Sequence, residues 1–132
     1  MIKLFSKYKF PFYLSNFILI ILYLYPGSIL GWFLYKDLSL QPQITSNFLI
    51  VSSNHVYAFL ILSFMGFFTY KKIEELKFLN IYLILWSIIL EILHYFIPER
   101  GFEFSDLFGN FVGVIIAIII FYFFKKYENF KN

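Results

Sequence analysis

With 132 residues, 61% of them hydrophobic, 25% aromatic and only 14% charged, the chain carries too little polar side chain to coat a water-soluble globule of its size. Its formal charge of +3 sits in blocks beside apolar runs, which argues for attraction to anionic lipid and against nucleic-acid binding. There is no cysteine, so disulfides and thiol chemistry are excluded.

Four apolar runs approach the roughly 20 helical residues needed to cross a hydrocarbon core about 30 Å thick. The first, Phe12 to Tyr35, follows Lys3, Lys7 and Lys9. Lysines before an apolar run also open a secretory signal. Here the run continues past Pro26-Gly27-Ser28 to Leu34 and no pair of small residues stands at cleavage spacing, so a retained span is expected. Pro26-Gly27 is a candidate kink within it.

The second run, Phe48 to Tyr70, is preceded by a mixed stretch, Gln41 to Asn54, that suits a short interfacial segment. Lys71 to Lys77 reads as a solvated turn containing Glu74 and Glu75. The third run, Phe78 to Ile97, ends at Pro98, and Glu99-Arg100-Gly101 turns the chain toward the fourth, Leu107 to Phe124. The tripeptide Ser-Asn-Phe occurs at 15 and 46, each time before apolar residues, and is read as shared helix-start chemistry rather than duplication.

Basic residues flanking membrane helices are retained on the cytoplasmic side. Of the eleven lysines and arginines, only Lys36 and Arg100 fall outside the three blocks formed by the N-terminus, the 71–77 turn and the C-terminus. The fold expected is therefore all-α, a single-domain four-helix transmembrane bundle with both termini cytoplasmic. The corresponding location is integral to a membrane, multi-pass, and by inference the bacterial cytoplasmic membrane.

That topology brings polar residues from three spans to one depth on the outer side. At about 1.5 Å per residue, Glu91 lies about 9 Å inside the outer end of the third span and His94 about 4–5 Å inside, with Asn110 at a similar depth on the fourth. His55 enters from the same side on the second. Glu91 and His94, three apart, share a helix face. A charged carboxylate at the centre of a membrane helix costs about 2.5–3.5 kcal/mol, less toward the interface, so Glu91 is read as functional, against the alternative of a helix-stitching acid. For His55 and His94, helix-to-helix hydrogen bonding and a functional role stand level.

Glu-x-x-His on helices is the spacing of carboxylate-bridged metal sites, but such sites use the motif twice. One copy gives no expectation of a metal, and no cofactor is called for. Ser105-Asp106 suits a helix start, where a negative charge complements the dipole. Asn110 inside the span points to buried hydrogen bonding. Gly109, Gly113 and Ala117 form a small-residue stripe for close helix packing, within the bundle or between copies. Arg100 either pairs with Glu99, Glu103 and Asp106 or reaches a phosphate, and the salt-bridged loop is the expectation.

These pieces resemble the VanZ-like family of small bacterial membrane proteins. The residues that carry the resemblance are His55-Val-Tyr-Ala-Phe59, Glu91-Ile-Leu-His94, Ile97-Pro-Glu-Arg100 and Asp106-Leu-Phe-Gly-Asn110-Phe-Val-Gly113, within about residues 50 to 118. Val51 and Ser52 stand where the family tends to have Asp and Lys, and His94 where it has Gln. The resemblance implies a membrane location and a link to the cell envelope or glycopeptide resistance.

The resulting expectation is an outward-facing polar pocket formed by His55, Glu91, His94, Arg100, Asp106 and Asn110. It would engage a cell-envelope lipid or glycolipid headgroup, with membrane lipids and a homo-oligomer or membrane partner as further contacts. Two alternatives use the same residues: an enzyme acting on a lipid phosphate, with Glu91 or His94 as general base, and a structural subunit of a membrane complex. No Gly-x-Ser-x-Gly, His-Glu-x-x-His or phosphate loop accompanies them.

Overall fold

A computed structural model describes residues 9–131, and among these every regular element is helical. Helix α1 spans Phe10–Leu24, α2 Ile29–Tyr35, α3 Ser53–Thr69, α4 Ile73–Leu93 and α5 Phe104–Lys131, and a 3-10 turn, His94–Phe96, follows α4. α1, α3, α4 and α5 pack side by side, with α3 against α5 as the most extensive interface. Lys9, Lys71, Lys72, Lys125 and Lys126 lie at one end of this bundle. The polar segment between Glu91 and Asn110 lies at the other.

The distribution of side chains is inverted relative to a water-soluble bundle. Glu91, Asn110, Ser63 and Ser87 are completely buried, while Phe17, Phe78, Ile81, Ile119 and Phe123 are more than half exposed. Exposed apolar area on this scale needs a nonpolar medium, and buried polar groups are retained only where they find partners. Two helices, α4 with its 3-10 extension and α5, are long and apolar enough to cross a membrane, or three spans if α1 and α2 count as one broken span.

The expected first span is therefore not one helix. α1 and α2 are bent by 81° at the break. Proline has no N–H to give to the carbonyl four residues back, and Gly27 adopts φ +82°, so the helix ends and the chain turns aside. α1, with 15 residues, and α3, with 17, rise only about 22 and 26 Å at 1.5 Å per residue. The second run begins its helix at Ser53 rather than Phe48. An isolated bridge pairs Phe48 with Val51, and the Asn47 side chain accepts from the Ser53 N–H, serving the orphan donors of α3.

Two local expectations are also corrected. The solvated turn is confined to Lys71 and Lys72, because α4 begins at Ile73 with Glu74 and Glu75 in its first turn, where acids complement the helix dipole. Neither Ser-Asn-Phe opens a helix: Ser15 and Asn16 lie inside α1, and Ser46 and Asn47 in the loop. Asn16 is instead a buried acceptor for the Tyr82 hydroxyl at 2.6 Å.

The small-residue stripe works inside the bundle. A Cβ on Gly113 would lie 2.4 Å from the Val56 carbonyl oxygen, and one on Gly109 would lie 2.6 Å from that of Ser52. Ala117 is fully buried in the same core. These contacts let the α5 backbone approach α3 directly, which holds His55 and Asn110 at fixed separation.

Candidate functional site

Asn110 organises the centre of the site. Its Nδ2 donates to the Ser87 carbonyl on α4 at 3.1 Å, and a carbonyl oxygen can only accept, so the amide orientation is determined. Asn110 Oδ1 then faces the Tyr23 hydroxyl at 2.7 Å and His55 Nδ1 at 2.9 Å, and accepts from both. His55 accordingly carries its hydrogen on Nδ1. Its Nε2 is left facing an Asp106 carboxylate oxygen at 3.3 Å.

His94 is fixed in the same way. Its Nε2 lies 3.0 Å from the Tyr23 carbonyl oxygen and must donate to it. Nδ1 is 3.1 Å from Glu91 Oε2. Glu91 is completely buried. Its Oε1 accepts from the Glu103 backbone N–H at 3.1 Å, just ahead of α5, so the carboxylate also meets the positive end of that helix. Its Oε2 has no aligned hydrogen bond and lies 3.9 Å from His55 Nδ1.

Arg100 departs from the expected salt-bridged loop. Its Nη2 donates to the carbonyls of Leu22 at 2.7 Å and Gly27 at 2.8 Å, and its Nε to that of Tyr25 at 3.3 Å. The C-terminal end of α1, where carbonyls are orphaned, thus takes the guanidinium in preference to the neighbouring acids. Glu99, at φ 61°, makes the tight turn that delivers it. Burial pulls the Arg100 pKa down, opposed by nearby Tyr23, Asp106 and Glu91.

Above these residues a polar cavity of about 370 Å³ opens at the end of the bundle away from the lysines. His55, His94, Arg100 and Asp106 line it, together with Glu103, Gln41, Gln43, Asn47 and Asn54. Residues 36–52 roof the cavity. This roof carries apolar groups on its outside: Leu49 is 98% exposed at φ 56°, and Ile44 and Ile50 are about three-quarters exposed. Trp32, Phe33 and Leu34 of α2 continue the apolar surface.

Of the six predicted residues, His55, Glu91, His94, Asp106 and Asn110 converge, and Arg100 stands at the rim with its donors directed to α1. Sequence reasoning missed Tyr23, which touches both histidines and Asn110, the Ser87 carbonyl, and the amide side chains of the roof. It also did not anticipate that ligand atoms of His55, Glu91 and Asp106 all lie within 4.8 Å of one another. His94 is not part of this donor set, which Glu91 forms with His55 and Asp106 from two other helices.

A family model described as VanZ/LLP1 matches residues 6–125. No curated protein and no solved structure matches the chain.

Proposed function

Because the chain belongs to the VanZ/LLP1 family over residues 6–125 and is an integral membrane protein, we propose that it crosses the membrane four times with both termini cytoplasmic, and that its outward-facing polar pocket engages a cell-envelope lipid or glycolipid headgroup. α1 and α3 are the short members of this arrangement. The membrane in this reading is the bacterial cytoplasmic membrane, and the consequence of binding is the glycopeptide-resistance role that the family resemblance implies.

One observation carries the reading: a polar cavity of about 370 Å³ opens beside a strongly apolar roof. A headgroup seated among amides, histidines and carboxylates leaves its acyl chains level with Trp32, Leu49 and Ile50. Four amide side chains and the acids offer both donors and acceptors, which suits hydroxyl-rich groups such as sugars or glycerol. With Arg100 engaged by carbonyls, recognition rests on hydrogen bonding more than on an anion clamp.

The test is native mass spectrometry of the protein released from nanodiscs prepared with total envelope lipid extract. One glycolipid or lipid-linked species retained by the wild type and lost from Asn54→Ala and Gln43→Ala is the expected result. Equal retention of all bulk lipids by wild type and variants would overturn the reading. Conversion of the retained species on incubation would move the assignment to the enzyme.

A further inference from the structure

We infer that His55, Asp106 and Glu91 form a binding site for one divalent first-row transition-metal ion, zinc by chemical preference, at the base of the polar cavity. The inference stands on the donor geometry and is independent of any lipid headgroup.

The His55 ring is already held as metal-binding histidines are held. Its Nδ1–H is committed to Asn110 Oδ1 at 2.9 Å, and that amide is fixed by Ser87. This leaves Nε2 as the donor atom, with tautomer and ring plane set by a second layer of hydrogen bonds. Two ligands about 2.1 Å from a tetrahedral ion stand about 3.4 Å apart. His55 Nε2 and Asp106 Oδ2 are 3.3 Å apart. With Nε2 unprotonated, a lone pair faces a carboxylate oxygen at that distance, an arrangement that becomes attractive when a cation lies between them.

Glu91 supplies the second, independent indication. Its side chain is completely buried, and Oε2, though 3.1 Å from His94 Nδ1, lacks an aligned hydrogen bond, a costly state for a buried carboxylate oxygen. Ligand atoms of all three residues fall within 4.8 Å of one another, against about 3.4 Å for tetrahedral spacing. Asp106 is partly exposed and lines the cavity. Among the described residues, histidine nitrogens are the only basic groups within ion-pair distance of Glu91 and Asp106. Two carboxylates and one neutral imidazole around a dication sum to zero charge, which suits a site sheltered from water. One nitrogen and two oxygens fit zinc, and three protein ligands leave a position open toward the cavity.

The experiment uses the full chain in detergent, stripped with a chelator and titrated with Co²⁺, whose visible absorption reports its coordination, followed by Zn²⁺ competition. One Co²⁺ per chain, displaced by Zn²⁺, is expected. His55→Gln and Asp106→Asn should abolish the bands, Asn110→Ala should weaken binding about 10–100-fold through the second layer, and His94→Gln should retain them. With two histidines and no cysteine in the chain, few other sites compete. Absence of a saturable Co²⁺ signal in the wild type, or a signal that survives Asp106→Asn, overturns the inference. If His55→Gln does not fold, Asp106→Asn at the more exposed position carries the comparison.

Discussion

Arg100 Nη2 lies 2.7 Å from the carbonyl oxygen of Leu22, the position an N–H of residue 26 would serve if residue 26 were not proline. A side chain from the loop before α5 therefore completes the last turn of α1, across 78 residues of sequence. Hydrogen bonds from a charged donor contribute about 1.5–3 kcal/mol each. Arg100→Ala should lower stability by about 2 kcal/mol or more, and Arg100→Lys should fall between, since an ammonium cannot reproduce the planar fork. Thermal unfolding of the three proteins in one detergent checks the order. Equal melting temperatures would show that the guanidinium does not hold the break.

Glu91→Gln and Gly113→Leu should separate function from packing. Glutamine still accepts from the Glu103 N–H and offers a donor to His94 Nδ1, so abundance and melting should stay close to wild type while the resistance or binding phenotype is lost. Leucine at 113 must displace the α3 backbone, because even a Cβ there meets the Val56 oxygen at 2.4 Å; overpacking of this kind costs about 1–3 kcal/mol. Membrane abundance, detergent melting and phenotype are to be measured for both. A fully active Glu91→Gln protein would make Glu91 a packing residue and favour the structural-subunit reading.

Gly101 is exposed and a Cβ there meets nothing within 4 Å, so a cysteine at this position should leave the fold intact. In the cysteine-free background, an impermeant maleimide should label Gly101→Cys in intact cells and label Lys72→Cys only after permeabilisation. The reverse pattern would invert the topology and place the cavity on the cytoplasmic side.

The seating of α2 can be tested apart from the bundle. A Cβ at Gly31 would lie 1.7 Å from the Leu40 carbonyl oxygen and 2.7 Å from that of Asp37, so Gly31→Ala must lift α2 from the roof. Limited proteolysis should cut within residues 36–52 faster in this variant, with little change in the melting of the remaining helices. Unchanged cleavage would mean that the roof does not depend on α2.

The all-helical architecture and five converging polar residues were legible because membrane helices expose their character in uninterrupted apolar runs, and polar interruptions at matching depth have few places to go. Asn110 and the glycine stripe could be read from spacing alone. The break after α1 was visible as Pro26-Gly27, but its 81° size depends on what receives the freed carbonyls. Arg100 illustrates the limit: three nearby acids made a salt bridge the local expectation, while the partner it finds is a helix end remote in sequence. The missing N–H of Pro26 was the one available clue. Tyr23 carried no comparable signal among eleven tyrosines, since its role arises from α1 setting its ring against both histidines.

The long separation between Arg100 and the carbonyls it serves also sets an order of events during synthesis. When residues 10–35 leave the ribosome, their only instructions to bend are Pro26 and Gly27. The guanidinium that completes the break does not yet exist, nor do His94, which takes the Tyr23 carbonyl, and Asn110, which takes its hydroxyl. Helix α1 is thus made well before the side chain that completes its end, and the roofed cavity matures only after the segment leading into α5 has emerged. A chain truncated before residue 100 retains the apolar sequence of α1 and α2 but lacks the latch that turns one away from the other.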